Sequence, residues 1–300
     1  MEMLKLNHVS KAFGSNHIIE DLSFSVSEHT IYGFIGQNGA GKTTTMKMIL
    51  GLLKTDSGDI LVNEEKVRYG ENKANRYIGY LPDVPEFYSY MTPEEYLRLC
   101  GEIAGMSSRK IRKRTEELLE LVGLSEVKKR IHGFSRGMKQ RLGIAQALFN
   151  SPKLLICDEP TSALDPLGRK EILDILLSVK DHTTVIFSTH ILSDVERICD
   201  EIGVLHNGSL ALQGNIEDMR KMRQGDGFEI EFTETREMER LRGLLPGSCA
   251  SGRNQLFFPG GDQKDMAWAM QIMVSHQLYP QRIEMREPTL ESLFMEVIGK

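Results

Sequence analysis

Residues 36–44 of the chain are Gly-Gln-Asn-Gly-Ala-Gly-Lys-Thr-Thr, which matches the phosphate-loop pattern Gly-x-x-x-x-Gly-Lys-[Ser/Thr]. Glycines let the backbone turn tightly, so that several N–H groups converge on phosphate oxygens. Lys42 can neutralise the β- and γ-phosphates, and the Thr43 hydroxyl can bind Mg²⁺. The loop therefore predicts a site for a nucleoside triphosphate and a magnesium ion. The residues assigned to the nucleotide are Gly36, Gln37, Asn38, Gly39, Ala40, Gly41, Lys42, Thr43 and Thr44.

Two adjacent carboxylates, Asp158 and Glu159, directly follow the apolar run Leu-Leu-Ile-Cys at 154–157. Such a run is typical of a parallel strand buried on both faces, and ligands bind where the strands of open parallel sheets end. Asp158 is predicted to hold the Mg²⁺ shell through water, and Glu159 to act as general base on the attacking water. Two surface acids that cap a turn are the alternative, which the complete phosphate loop makes the weaker interpretation.

The phosphate loop needs a strand that leads into it and a helix that leaves it. Residues 31–35, Ile-Tyr-Gly-Phe-Ile, form a short apolar run of strand type directly before the loop. Residues 43–53 carry apolar side chains at helical spacing, interrupted by Gly51. The N-terminus of this helix adds partial positive charge where phosphate would bind.

The acid pair is positioned by a second arrangement of the same kind. Residues 154–157 and 184–187 are compact apolar runs, and a helical segment over 167–179 lies between them. Apolar strands separated by a helix predict a β-α-β unit with parallel strands. The fold class is therefore α/β around a buried sheet.

The rest of the first domain is predicted to contain antiparallel strands followed by helices. Alternating runs at 4–9 and 22–26 predict two antiparallel strands, and a second strand pair is predicted at 59–63 and 77–81. The pattern is helical over 92–150 and begins with Thr-Pro-Glu-Glu, a capping box with proline at the first helical position.

The last part of the chain is predicted to be a small α+β domain. Gln-Gly-Asp-Gly at 224–227 predicts a turn or linker, which sets the domain limits at 1–223 and 228–300. The predicted strands of the second domain are 228–232, 255–258 and 282–285, and its predicted helices are 235–245, 266–273 and 287–297.

Composition narrows the class of protein. Lys and Arg number 37 against 42 Asp and Glu, a formal net charge of -5 that gives no sign of a nucleic-acid partner. The basic cluster within 109–114 is interpreted as the solvated face of a helix, with a nucleic-acid patch as the weaker alternative. The N-terminus has no apolar core of signal-peptide length, and no run approaches the roughly 18 apolar residues of a membrane span. We expect a cytosolic protein whose membrane part, if it has one, is supplied by a partner.

Together with the loop and the acid pair, four further features resemble the ATP-binding cassette (ABC) ATPase family over residues 2–222. Phe13 matches the aromatic position that stacks on adenine, and Phe-Ser-Arg-Gly-Met at 134–138 matches the signature loop. Ser-Ala-Leu-Asp at 162–165 matches the D-loop, and Ser-Thr-His at 188–190 matches the switch histidine. Each match is weak alone, but together with the two phosphate-site motifs they occur in the order that the family has.

The resemblance implies a fold and an activity. The fold is a P-loop NTPase ABC cassette with a mixed sheet core, an antiparallel β subdomain and a helical subdomain at about 92–150, followed by the small C-terminal α+β domain. The activity is ATP hydrolysis with Mg²⁺, performed at sites that two ATPase subunits share, either in a homodimer or with a paired subunit.

The resemblance also implies roles for single residues. Ser135 and Gly137 would donate hydrogen bonds to the γ-phosphate of ATP held on the opposite subunit. His190 would contact that phosphate and position water, although alone it would be interpreted as an ordinary loop histidine. Asp165, in the D-loop, would lie at the dimer contact.

The chain departs from the family pattern at two places. Arg136 and Met138 replace a glycine and the glutamine of the usual Leu-Ser-Gly-Gly-Gln signature. Arg136 could face phosphate or solvent. Asp83 occupies a position where the family has glutamine, so it could bind Mg²⁺ or its water while adding negative charge beside ATP.

The residue sequences of the motifs resemble those in the ATPase subunits of bacterial drug and antibiotic-resistance exporters. This implies a subunit at the inner face of the cell membrane that drives a separate integral membrane permease, with a docking face on the helical segment 92–150 near Asp83. The alternative is an ABC protein that acts on ribosomes or nucleic acid without transport. One cassette, an acidic balance and the lack of sustained heptads favour transport.

Overall fold

The computed structural model of the chain describes residues 1–70, 73–222, 227–286 and 290. The chain forms two compact units, Met1–Ile216 and a second unit that begins at Glu217. Within the described ranges, no helix combines the length and the apolar character that crossing a bilayer requires.

The domain limits predicted from the sequence, 1–223 and 228–300, remain a proposal. The predicted linker at 224–227 lies outside the described residues except for Gly227, which begins a strand. The predicted last helix at 287–297 also lies outside them, apart from the single described residue Leu290.

The first unit combines strands and helices. Its strands are β1 (Glu2–Phe13), β2 (Asn16–Ser27), β3 (Ile31–Gly36), β4 (Ser57–Val62), β5 (Glu65–Lys66), β6 (Ile78–Leu81), β7 (Leu154–Asp158), β8 (Thr184–Thr189), β9 (Glu201–His206) and β10 (Ser209–Asn215). Its helices are α1 (Lys42–Ile49), α2 (Pro93–Ile103), α3 (Ser108–Leu121), α4 (Arg136–Ala147), α5 (Pro166–Val179) and α6 (Leu192–Ile198), and α7 follows at Ile216–Met222.

The central sheet of the first unit places the predicted chemistry at one edge. Its strand order is β10-β9-β3-β8-β7-β6, and every neighbouring pair is parallel except β10 with β9. All residues of β3, β7 and β8 are buried, which confirms the prediction of strands covered on both faces. In the register of the sheet Asp158 lies opposite Ser188, so the phosphate loop, the acid pair and His190 all leave the sheet at the same edge.

An antiparallel sheet of order β2-β1-β4-β5 packs on this arrangement. The predicted antiparallel strands at 4–9 and 22–26 are confirmed, since Leu6 pairs with Phe24. The Phe24 ring stacks on Tyr32 and Phe34 of β3, with ring centroids 5.4 and 5.5 Å apart. These contacts form a core that holds β3, and with it the start of the phosphate loop, against the N-terminal strands.

The predicted pairing of 59–63 with 77–81 is wrong. β4 lies between β1 and β5, with Ile60 opposite Leu6, whereas β6 lies in the central sheet parallel to β7. Two short apolar runs close in sequence suggest a hairpin, but a short run does not specify its partner. β6 is instead fixed by packing, because α4 lies so close over it that a Cβ atom on Gly143 would be 2.5 Å from Leu81 Cδ1.

Helices α2, α3 and α4 form the helical region predicted over 92–150. Helix α2 begins with the predicted capping box, in which Glu95 N–H donates to Thr92 Oγ1 and Thr92 N–H donates to Glu95 Oε2 at 2.8 Å. On α3, Arg112 pairs with Glu116 at 3.1 Å on the exposed surface, as expected for a solvated charged face.

The second unit has its own sheet and core. Its elements are β11 (Gly227–Glu231), α8 (Thr235–Leu244), β12 (Cys249–Ala250), β13 (Gln255–Pro259), α9 (Gln263–Ser275) and β14 (Arg282–Met285). The sheet is antiparallel in the order β12-β13-β11-β14, and the helices cover a core that includes Phe228, Ile230 and Leu256. The short strand β12 was not predicted, because a run of that length carries no alternation.

Candidate nucleotide site

The phosphate loop has backbone conformations that require glycine. Gly39 and Gly41 have φ angles of 86° and 109°, in the left-handed region that favours glycine. Gly41 also lies against β2, since a Cβ atom there would be 2.6 Å from Ile19 Cδ1. A Cβ atom on Gly36 would be 2.7 Å from the carbonyl oxygen of Leu205 on β9. The loop is therefore held close to two strands and directs the N-terminus of α1 into the site.

The other loop residues face outward or begin the helix. Gln37 and Asn38 are exposed at the loop tip, and the Ala40 N–H donates to the Gln37 carbonyl oxygen at 3.1 Å. Thr44 lies in the first turn of α1. These residues form the rim of the loop, where a phosphate chain would lie over their N–H groups.

Lys42 is a buried cation whose partners all lie at the site. Its Nζ donates to the carbonyl oxygen of Gly36 at 2.6 Å and to that of Gln37 at 3.3 Å. The same nitrogen lies 3.3 Å from Glu159 Oε1, so one ammonium group joins the phosphate loop to the acid pair. A buried charge of this kind needs such partners, and a phosphate group would supply stronger ones.

Asp158 brings together the residues that were predicted to hold a metal ion. Thr43 Oγ1 donates to Asp158 Oδ2 at 2.8 Å, and Ser188 Oγ donates to Asp158 Oδ1 at 2.6 Å. A hydroxyl and a carboxylate side by side form an oxygen-only donor set, which is what Mg²⁺ prefers when it keeps several of its waters. Tyr80 on β6 lies close by, and burial, with the Asp158 charge as a smaller cause, raises its pKa to about 12.

Glu159 is held between two basic side chains. Its backbone has a φ angle of 47°, which is uncommon for a non-glycine residue, and its N–H donates to Ser188 Oγ at 2.9 Å. Glu159 Oε2 lies 3.0 Å from His190 Nδ1, and Oε1 faces Lys42. The half-exposed His190 lies at the solvent side of this chain of contacts, where water and a terminal phosphate could approach.

The structure thus brings five of the predicted residues together in two sets of contacts, Thr43 with Asp158, and Lys42 with Glu159 and His190. Ser188 joins the two sets, because its Oγ donates to Asp158 Oδ1 and accepts from the Glu159 N–H. The predicted metal-binding, base and phosphate-binding side chains are adjacent although they lie far apart in sequence. The link between them is the shared edge of β3, β7 and β8.

Ser135 and Gly137 lie apart from this network. Ser135 is the exposed N-cap of α4, and its Oγ accepts a hydrogen bond from Met138 N–H at 3.3 Å. A Cβ atom on Gly137 would lie 3.8 Å from its nearest neighbour, Leu164 Cδ2, which is an ordinary van der Waals contact, and Gly137 is partly exposed. The hydrogen bonds found for Ser135 stay within its own helix, so within the described part of one chain none of them reaches the phosphate loop.

Asp165 closes the loop that follows the acid pair. It is the N-cap of α5, where its Oδ1 accepts from Gly168 N–H at 3.0 Å and Pro166 occupies the first turn. Ala163, two residues earlier, has a φ angle of 52°. The loop therefore enters α5 with a defined conformation rather than as a free connection.

Phe13 is a half-exposed aromatic side chain on the hairpin that contacts the phosphate loop. It ends β1, pairs with Asn16 of β2, and has Lys11 Nζ 5.4 Å from its ring centroid. Its side chain is half exposed although it is large and apolar. Because Ile19 of β2 contacts the Gly41 position, this hairpin lies next to the loop, where a purine ring could stack on Phe13.

Arg136 and Asp83 form an ion pair, with Arg136 Nη2 3.0 Å from Asp83 Oδ1. Arg136 is exposed to solvent, which is one of its two predicted orientations, and its pairing with Asp83 was not predicted. The Asp83 charge is balanced by a neighbour from the signature helix.

Sequence reasoning missed a buried carboxylate that supports the site. Asp194 in α6 accepts from Thr161 Oγ1 at 2.7 Å and pairs with Arg169 Nη2 of α5 at 2.6 Å. Thr161 lies in the loop after Glu159, and α6 follows His190, so the carboxylate ties together both segments that leave the sheet edge. A charged residue on the buried side of a short amphipathic helix is the signal that could have identified it.

Replacing Asp194 with alanine should destabilise the first unit by about 2 to 4 kcal/mol, because it leaves a partly exposed arginine and a buried threonine hydroxyl without their acceptor. The change in urea midpoint for unfolding measures the effect. Asp174→Ala is the matched control, because it removes an exposed pair with Arg197 whose loss should cost less than about 1 kcal/mol. Equal losses in the two variants would contradict the supporting role.

Comparison with known proteins places the chain among transport ATPases. Residues 19–162 match the family model described as "ABC transporter". The bacitracin transport ATP-binding protein BcrA of Bacillus licheniformis is 40% identical over 305 residues, which cover 99% of this chain and 97% of that protein. The linearmycin resistance ATP-binding protein LnrL of Bacillus subtilis (strain 168) is 38% identical over 310 residues, covering 99% of both chains.

Solved structures agree with the fold described above. A structure titled as the ATP binding subunit of an ABC transporter superposes with a TM-score of 0.66 at 34% sequence identity. The alignment covers 73% of this chain and 92% of that one.

Proposed function

The chain belongs to the family of ATP-binding proteins of ABC transporters, and from this premise we propose that it is the energising subunit of an exporter, working as a dimer with a separate membrane permease. As a member of the family it is an ATPase. The direction of transport, the permease and the roles of single residues belong to the proposal.

The observation that carries the proposed chemistry is the position of Glu159 between Lys42 and His190. When ATP binds, its γ-phosphate would take over Lys42 as a partner and leave Glu159 Oε1 free to accept a proton from water. His190 would then hold the other carboxylate oxygen and orient both the base and the phosphate.

A magnesium ion fits the donor atoms present. Thr43 and Asp158 would hold it, Thr43 directly and Asp158 through water, and the ion would neutralise charge that develops on the phosphates. The hydrogen bond from Thr43 to Asp158 keeps these two oxygens together before any ion arrives. Asp83, at the same sheet edge, is an additional candidate for the water shell.

A second ATPase subunit accounts for Ser135 and Gly137. Ser135 is exposed and Gly137 is partly exposed, and none of the hydrogen bonds found for Ser135 in the described part of the chain reaches the phosphate loop. A γ-phosphate bound to a facing subunit could approach the N-terminus of α4, where backbone N–H groups and the Ser135 hydroxyl can donate to it. ATP binding would close such a dimer, and hydrolysis would let it open again. This cycle would supply the work for transport.

A permease docking face is supported by exposed aromatic side chains next to Asp83. Tyr88 and Tyr90 are 55% and 62% exposed, with ring centroids 6.0 Å apart. Phe87 packs edge-on against Tyr96 of α2 at 5.0 Å and anchors the segment to the helical region. Large apolar side chains that stay exposed together mark interaction sites, and these lie a few residues from the candidate nucleotide ligand Asp83.

The names of the relatives support export of antibiotic-type molecules. BcrA is described as a bacitracin transport protein, and LnrL as a linearmycin resistance protein. We propose that this chain likewise works at the inner face of the cell membrane, held there by its permease. A role at ribosomes or on nucleic acid is the rival function.

Co-expression with an integral membrane protein that is a candidate permease tests the proposal. The tagged chain should retain that protein through detergent purification, and the double variant Tyr88→Asp/Tyr90→Asp should lose it while its ATPase activity remains. The physical reason is that the two introduced carboxylates would have to lose their hydration against an apolar surface of the permease. Tyr279→Asp is the matched control, since Tyr279 is 73% exposed but lies in the second unit.

Two results would contradict the proposal. One is a permease that copurifies equally well with the double variant, which would move the docking face elsewhere. The other is ATPase activity that ribosomes or DNA stimulate while no membrane protein is retained, which would favour the rival function.

A further inference from the structure

The chain has two unusual residues in its nucleotide motifs, and they contact each other. Arg136 replaces a glycine of the signature, and Asp83 occupies the position where glutamine is usual. Their side chains form an ion pair at 3.0 Å, with 41% and 46% of the side-chain surface exposed. Because both residues are unusual at their motif positions and carry opposite charges, their contact indicates that each balances the charge of the other.

Asp83 lies at the sheet edge that carries the predicted phosphate site, where an unpaired negative charge would affect nucleotide binding. It follows β6, whose last residue Leu81 is opposite Cys157 in β7, directly before Asp158. The two carboxylates therefore leave the sheet at the same edge, and both charges contribute to the raised pKa of Tyr80. A polyphosphate bound at this edge would be repelled by an unpaired Asp83.

One face of α4 fixes the segment that carries Asp83. Gln140, one turn after Arg136, donates from Nε2 to the Asp83 carbonyl oxygen at 2.6 Å, and its side chain is fully buried. A further turn along, a Cβ atom on Gly143 would be 2.5 Å from Leu81 Cδ1 and 3.3 Å from Pro85 Cβ. The helix that begins at the signature and the segment 81–85 are thus held together at three successive turns.

We propose that Arg136 is a positioning residue that neutralises the charge of Asp83, so that the signature helix and the Asp83 segment approach ATP as one body. The inference rests on the proposed function only in placing ATP at the edge of β3, β7 and β8. Arg136 acts through Asp83 and makes no contact with phosphate itself.

Steady-state kinetics of Arg136→Gln in two backgrounds test this. In the wild-type background the KM for MgATP should rise by about two- to fivefold, the range for a partly exposed ion pair, with kcat retained. Repulsion by the unpaired Asp83 carboxylate weakens the binding of ATP equally in the ground state and in the transition state, so KM changes and kcat does not. In the Asp83→Asn background the same substitution should leave KM unchanged, because no charge remains to be balanced.

Salt and a neighbouring lysine provide controls. Raising NaCl from about 0.05 M to about 0.5 M should reduce the difference in KM between wild type and Arg136→Gln, because salt screens the repulsion between the Asp83 carboxylate and the phosphates of ATP. Lys139→Gln removes the same charge from the same helix and should leave KM unchanged, because no ion pair joins Lys139 to Asp83 in the described structure.

Several results would overturn the inference. An equal rise in KM in both backgrounds would show that Arg136 acts independently of Asp83, and an unchanged KM in both would show that the pair has no role. A fall in kcat at constant KM would place Arg136 on the phosphate itself. The proposed function is tested separately, because Glu159→Gln should still abolish turnover whatever Arg136 does.

Discussion

Replacing Glu159 with glutamine is expected to lower ATP turnover by about 10²- to 10⁴-fold, the usual contribution of a general base. Glutamine keeps the shape of the side chain and can still contact Lys42 and His190, but it cannot accept a proton from water. ATP should bind at least as tightly as in the wild type, because Lys42 no longer has to leave a carboxylate to contact phosphate. With ATP bound and uncleaved, the dimer should stay closed.

Three measurements check this expectation. Phosphate release gives the turnover rate, a fluorescent ATP analogue gives the dissociation constant, and size-exclusion chromatography with light scattering gives the dimer in ATP but not in ADP. Glu126→Gln removes an exposed carboxylate in the helical region and serves as the matched control. A Glu159→Gln enzyme that hydrolyses ATP at the normal rate would exclude Glu159 as the base.

Replacing Ser135 with arginine is expected to abolish turnover while one subunit still binds ATP normally. Ser135 caps α4 and faces open space, so the bulky cation should spoil the contact with a facing subunit and leave the phosphate loop intact. Loss of the cap should cost only about 1 kcal/mol of stability, too little to unfold the unit. Introduced into Glu159→Gln, the same change should prevent the ATP-dependent dimer.

The neighbouring helix provides a control for this variant. Ser107 is the exposed N-cap of α3, so Ser107→Arg makes the same change at another helix start of the same region and should leave turnover and dimer formation unchanged. If Ser135→Arg weakened ATP binding by the same factor as turnover, or if the double variant with Glu159→Gln still dimerised, a role across subunits would be refuted.

Much of the fold could be predicted because its signals are local. The buried runs that became β3, β7 and β8, the capping box of α2 and the helix between β7 and β8 depend on side chains close together in sequence. The pairing of β4 and β6 was predicted wrongly because strand partners are chosen by packing over long distances. The buried Asp194 was missed for the same reason, since its partners lie in other segments.

The candidate site divides in the same way. The sequence alone determined that a phosphate loop, an acid pair and the cassette motifs are present, because glycine geometry, a lysine and paired carboxylates limit the possible chemistry at each motif. Only the tertiary structure decided which side chains meet. It placed Glu159 between Lys42 and His190 and paired Arg136 with Asp83, residues that are distant in the chain. Contact depends on the sheet register and on the packing of α4 over β6, and neither is encoded in the spacing of a motif.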